Sequence, residues 1–157
     1  RKQRLKVLRH SLVELRDDSI EIWPQTMPPF PWHFGGQRFH NLFVEAKEIK
    51  DFCEENSVRV CLDVSHSKLA CNNLNISFQQ FLEQVLPHTA HLHLADSRGV
   101  DGEGLQIGEG EVDFYSLAEA FLHYAPEATW IPEIWQGHEN QGEGFWQALY
   151  ELEGLKF

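Results

Sequence analysis

The sequence predicts an α/β fold of parallel βα units. Apolar stretches of strand length recur every 30 to 40 residues or so, and stretches with helical periodicity separate them. Regular alternation of this kind implies parallel strands joined by right-handed crossovers. Four strands are predicted, half the complement of an eight-stranded (βα)8 barrel of about 250 residues. The competing architecture is an open doubly wound sheet, which lacks its usual support here: Gly108-Glu109-Gly110 has no third glycine of a GxGxxG turn, and there is no Walker sequence.

Taken in order, Leu5, Leu8, Leu12 and Leu15 recur at spacings of three and four and predict a helix over residues 2–16. Asp17-Asp18-Ser19 breaks it. Residues 20–24 read as a short buried strand running into a long aromatic loop to residue 41, where Phe30, Trp32, Phe34 and Phe39 argue for order. Ala46, Ile49, Phe52 and Cys53 share one side of a helix over 44–56, and the β-branched run 58–63 follows as a strand. Ser77 suits the cap of a helix that buries Phe78, Phe81, Leu82, Val85 and Leu86. A third strand covers 90–96. A glycine-rich loop, 99–110, leads into a helix over 113–124 that directs Leu117, Phe121 and Leu122 inward. The fourth strand is 129–135 and the closing helix 145–152, with Trp130 and Trp146 assigned to packing.

The 157 residues, 42% hydrophobic and 24% charged, suffice for one domain or part of one. The formal charge of −11 is unevenly placed: residues 1–16 carry +5, so the remainder carries −16. Such a body repels phosphate backbones and anionic membrane surfaces, which disfavours nucleic-acid and membrane partners. No apolar run approaches the ~20 residues needed to span a bilayer. Cys53, Cys61 and Cys71 have no CxxC spacing, and their odd number with no secretory signal points to reduced thiols and a cytoplasmic setting. The chain opens on Arg1 with a helix already under way, which reads as a piece of a longer polypeptide.

In either architecture ligands bind beyond the carboxyl ends of the strands. The residues expected there are Gln25, Asp63 with His66 just after it, His93, and Glu133. Two carboxylates, an imidazole and an amide on neighbouring strands form a candidate site for one divalent cation. Asp63 would also suit the cap of the following turn. His91 lies two residues before His93 on the same face and is assigned to packing. Glu133 follows Pro132 in an apolar strand and needs a partner if buried.

The runs Asp63-Val64-Ser65-His66, His93-Leu94-Ala95-Asp96, Ile107-Gly108-Glu109-Gly110 before a helix, and Pro132-Glu133 resemble the second half of the xylose isomerase-like TIM barrels. That superfamily includes sugar phosphate isomerases and epimerases and endonuclease IV. The resemblance spans nearly the whole chain and implies helix four and strands five to eight, a single partial domain over 1–157 forming the C-terminal half of a TIM-barrel-like fold. The run from Pro24 to Gly36 also resembles the isomerase-like domain attached to bacterial sialic acid synthase-type proteins.

The resemblance implies one divalent ion (Mn, Co, Zn or Mg) with Asp63, His93 and Glu133 as ligands, Glu133 as a catalytic residue, and His66 as a catalytic and substrate-contacting residue. Arg98 falls where relatives hold a hydroxyl or phosphate of the sugar, and Trp32, His33 and His138 would overhang the same mouth as substrate-binding groups. One position departs from the pattern. Gln25 stands where the family has a metal-bound glutamate, and Glu21, the nearest acid, lies four residues earlier, roughly 13 Å down a strand. A glutamine can offer a carbonyl oxygen to a hard cation but cannot accept a proton as a carboxylate does. Two-base epimerisation is therefore not expected, leaving one-base isomerisation or dehydration by Glu133 and His66. The loop Gly102–Gln106 lacks the Asp and His that endonuclease IV chemistry requires. The implied function is a metal-dependent isomerase, epimerase or lyase of a sugar or sugar phosphate, with a role in sialic acid biosynthesis implied by the second resemblance. The alternative is a non-catalytic carbohydrate-binding or regulatory module. The expected partners are the sugar and an N-terminal remainder of the same polypeptide, or a second copy.

Overall fold

The computed structural model describes residues 1–15, 17, 19–30, 40–155 and 157. The elements are α1 (Lys2–Glu14), α2 (Ala46–Asn56), β1 (Val60–Asp63), α3 (Val64–Leu74), α4 (Phe78–Val85), a 3-10 turn (Leu86–His88), β2 (Thr89–Leu94), β3 (Asp96–Arg98), β4 (Gly102–Leu105), α5 (Phe114–Tyr124), β5 (Thr129–Pro132) and α6 (Glu139–Gly154). β1, β2 and β5 form a parallel sheet in that order. Residues 24–26 extend it beyond β1: the Cys61 N–H donates to the Pro24 carbonyl and the Thr26 N–H to the Cys61 carbonyl, both at 3.0 Å. Spatial order thus follows chain order, as in consecutive strands of a barrel. A doubly wound sheet would reverse direction at a switch point.

Alternation along the strands divides the sheet into two faces. Val60, Leu62, Leu92 and Leu94 are fully buried and share the core with Ile49 and Phe52 of α2, Phe81, Leu82 and Val85 of α4, and Leu117 and Phe121 of α5. Cys61, Asp63, His91, His93 and Ile131 lie on the other, more polar face, aligned by the register Cys61 with His91, Asp63 with His93 and His93 with Ile131. His91 is absorbed by packing there, with Nδ1 2.7 Å from Thr129 Oγ1 and its ring stacked on Trp23.

Helix starts follow their caps. Asp63, Ser77 and Asp113 accept from the backbone N–H groups of His66, Gln80 and Ser116. Burial keeps the Cys53 and Cys71 thiols protonated, pushing them up to about 11 and about 12.

Several expectations are corrected. The strand expected over 20–24 is reduced to a bridge at Gln25, one residue beyond that range, and Ile20 instead bridges back to Asp17. A helix, α3, occupies 64–74, where none was expected, and the glycine-rich segment contains a strand, β4, that pairs antiparallel with β3 just before it. Leu122 and Trp146 are exposed, not packed. α6 begins earlier than expected, but Asn140, Gln141 and Gly142 are left-handed, so its regular part starts close to the expected residue.

Candidate functional site

The parallel register places three ligand-type groups together. Asp63 ends β1 directly opposite His93 on β2, and the Glu133 N–H donates to the Leu94 carbonyl at 2.9 Å, carrying the sheet pattern one residue past β5. Atoms of Asp63, His93 and Glu133 lie within 4.8 Å of one another. Bonds of 2.0–2.2 Å to one cation need ligand atoms about 3 to 4 Å apart, so small side-chain adjustments suffice.

Asp63 is almost completely buried, and burial raises its carboxyl above the usual range, opposed chiefly by His66. Its Oδ1 accepts from the His66 N–H at 2.9 Å. Its Oδ2 accepts from Gln25 Nε2 at 2.9 Å and lies 3.2 Å from His66 Nδ1 and 3.9 Å from His93 Nδ1. Thr26, fully buried, braces the same turn: its Oγ1 accepts from the Asp63 N–H at 2.9 Å and from Ser67 Oγ at 3.0 Å.

His93 Nδ1, a buried nitrogen, is 2.6 Å from Glu133 Oε2, a close ion pair whose angle falls short of good hydrogen-bond alignment. The Cys61 thiol, then the Glu133 carboxylate, push the His93 imidazole up to about 10, and His93 holds Glu133 below the ordinary carboxylate value. Metal binding here would displace that proton. A buried imidazole nitrogen set between two carboxylates fits a divalent cation with mixed N and O ligands.

A cavity of about 370 Å³ opens on this group, lined among others by Asp63, His66, His93, Glu103, Glu133 and His138. Gln25 meets it through Asp63. Arg98 is not brought to it, because its guanidinium donates to the Glu109 carbonyl in the segment after β4. Glu21 pairs with Arg59 at 2.6 Å, away from the cavity. Trp32 and His33 lie outside the described residues.

His66 Nδ1 lies 3.1 Å from the Thr26 carbonyl, which can only accept, so this nitrogen carries the proton and Nε2 faces the cavity. Glu103 Oε2 is 3.5 Å from that Nε2. Sequence reasoning missed Glu103 and Thr26. Thr26 had no signal beyond adjacency to Gln25, and Glu103 could have been found only by expecting a hairpin in Gly102-Glu103-Gly104.

Residues 1–150 match the xylose isomerase-like TIM barrel family. An uncharacterized protein of Methanocaldococcus jannaschii is 29% identical over 109 residues, covering 69% of this chain and 35% of its own length. Among solved structures, the fold resembles a D-tagatose 3-epimerase-like protein (TM-score 0.67, 20% identity, 97% of this chain and 51% of that one). It also resembles a xylose isomerase domain protein from Planctomyces limnophilus (TM-score 0.70, 15% identity, 99% and 53%). A third is the D-psicose 3-epimerase of Clostridium cellulolyticum H10, solved with D-tagatose (TM-score 0.61, 16% identity, 97% and 54%). The chain thus spans about half the length of these structures and about a third of the curated relative. With its parallel strands in chain order, this chain belongs to the xylose isomerase-like TIM barrel family.

Proposed function

We propose that this chain supplies the metal-binding and proton-transfer side of a divalent-metal-dependent sugar isomerase. The observation that carries the reading is the meeting of Asp63, His93 and Glu133 at the ends of three adjacent parallel strands, with the buried His93 Nδ1 set between the two carboxylates, 2.6 Å from Glu133 and 3.9 Å from Asp63. Asp63, His93 and Glu133 would hold the ion, joined by the Gln25 carbonyl oxygen if its amide turns over. When bound, the ion supplies polarisation of a substrate carbonyl.

The chain's own groups do the rest. Glu133, its carboxylate more than half exposed, removes the proton from the carbon beside the carbonyl and returns it to the neighbouring carbon. His66, oriented through Nδ1, accepts at Nε2 the proton of the hydroxyl on the carbon that Glu133 deprotonates and delivers it to the former carbonyl oxygen, so both the carbon-bound and the oxygen-bound proton are accounted for. Gln25 donates its amide to Asp63 and cannot take up a proton, so a second carboxylate base is missing at that position and isomerisation is favoured over two-base epimerisation. The same Gln25 contact favours a second reading, a carbohydrate-binding module without turnover, because the amide by itself satisfies the Asp63 oxygen that would face an ion.

The test is elemental analysis of the purified protein combined with sugar turnover. The isomerase reading expects one divalent ion per chain and at least a 100-fold loss of turnover in Glu133→Gln, within the range set by loss of a general base. Sugar binding that survives chelation, without turnover, would select the module. Absence of both metal and sugar binding would overturn both.

A further inference from the structure

We propose that Glu103 is a substrate-contacting residue that, with His66, grips a hydroxyl pair of a neutral sugar and selects against phosphorylated ones. This rests on the sugar-site reading above and adds a residue and a substrate class to it.

The hairpin of β3 and β4 is held in position at both sides of the cavity. Glu103 sits on β4, and its neighbour Gly104 is bonded on both sides: the Gly104 N–H donates to Ser65 Oγ at 3.1 Å, and the Trp135 N–H donates to the Gly104 carbonyl at 2.8 Å. Ser65 belongs to the first turn of α3 and Trp135 follows β5, so the hairpin is fastened to two walls of the cavity. Gly104 has φ +72°, and a Cβ there would stand 3.1 Å from Trp135 Cβ and 3.3 Å from its nitrogen. A side chain there would be strained by the left-handed turn and would need Trp135 to give by a few tenths of an ångström, which glycine avoids. A side chain with such anchoring is placed before any ligand arrives.

The chemistry it presents is specific. The Glu103 carboxylate and the His66 ring are each about one-fifth exposed and face each other across 3.5 Å inside the cavity. His66 cannot swing away, being held at the Thr26 carbonyl and Asp63. A carboxylate accepts from one hydroxyl proton and the adjacent imidazole, protonated at Nδ1, accepts from a second at Nε2, which matches neighbouring hydroxyls of a sugar.

Charge decides between neutral and phosphorylated sugars. Asp63, Glu103 and Glu133 line the cavity. The His93 imidazole, or an ion in place of its proton, sits between Asp63 and Glu133 and offsets their charge, which leaves Glu103 as the carboxylate a ligand meets. No lysine or arginine is among the described lining residues. Arg98, on the same hairpin as Glu103, gives its guanidinium to the Glu109 carbonyl. A phosphate dianion brought beside Glu103 would meet like charge, whereas a hydroxyl pair gains a charge-assisted hydrogen bond.

The experiment is calorimetric titration of the full chain reconstituted with Mn2+, using D-fructose and D-fructose 6-phosphate as probes, for the unaltered protein, Glu103→Gln and Glu103→Asp. Circular dichroism verifies that each variant is folded. The expected result is a preference for D-fructose over its phosphate of at least about tenfold. Glu103→Gln should weaken D-fructose binding by about 10- to 100-fold, the range of a hydrogen bond to a charged group, and narrow the preference. Glu103→Asp should restore part of both. Fructose binding unchanged within about twofold in Glu103→Gln, or an unaltered protein that prefers the phosphate, would overturn the role of Glu103 while leaving the sugar site intact. If the unaltered protein binds neither sugar, both the role and the underlying reading fail.

Discussion

Asp63 carries two roles that conflict. One oxygen caps α3 while the other faces the cavity amid Gln25, His66 and His93. Burial opposes its charge, and the Gln25 amide is one of the groups that offsets that cost. Gln25→Glu should therefore change sign with metal. Without an ion it removes a donor from a buried carboxylate and sets a second carboxylate beside it, lowering stability by about 1–3 kcal/mol. With a divalent ion the added ligand should tighten binding, and tenfold tighter binding adds about 1.4 kcal/mol of stabilisation. Thermal denaturation with and without Mn2+ measures both, and an equal response of the variant and the unaltered protein to metal would show that residue 25 lies outside the ligand set.

At the scale of elements, the loop after β2 explains why part of the molecule could be read in advance and part could not. Strands β1, β2 and β5 were legible because apolar, β-branched runs bounded by turns leave few alternatives. Asp63, His93 and Glu133 were legible as a group because parallel topology brings strand ends together whatever the intervening sequence. α3 was not, since Val64–Leu74 mixes serine, histidine and asparagine with apolar residues, and it forms because Asp63 caps it and Leu69, Ala70 and Cys71 are buried. The hairpin was hidden by glycines that read as punctuation. What orders the segment is Asp96, whose buried carboxylate accepts from the backbone N–H groups of Ser97, Gly108, Gly110 and Val112 at 2.7–3.1 Å. Gly110 is required there, because any Cβ would collide with Asp96 Oδ1 and the Ser97 carbonyl. Asp96→Ala should cost about 3–5 kcal/mol, since it strands several backbone donors at once. Chemical denaturation gives that number, and a loss below about 1 kcal/mol would mean the loop is held by something else.

For the whole molecule, the question is what covers the open sides of the sheet. Among the described residues β5 pairs only with β2, and residues 24–26 pair only with β1. Ile131 on the polar face is 43% exposed, and a groove of about 520 Å³ between α1, Asp17 and residues 19–22 is lined in part by Leu12, Val13, Ile20, Ile22 and Val58. Unpaired strand edges template pairing with another chain. We expect the 157-residue chain on its own to associate into dimers or larger species, read by light scattering against the 18.2 kDa of a single copy. Salt identifies the force. Arg1 and Arg9 of the basic helix already pair within the chain with Glu48 and Glu55, leaving two bodies of net charge −11 to repel each other. Association through strand edges and apolar surface should thus strengthen as salt screens that repulsion. Association that weakens with salt would place the basic helix of one copy on the acidic body of another, and a monomer at all salt concentrations would show that the exposed edges are already protected.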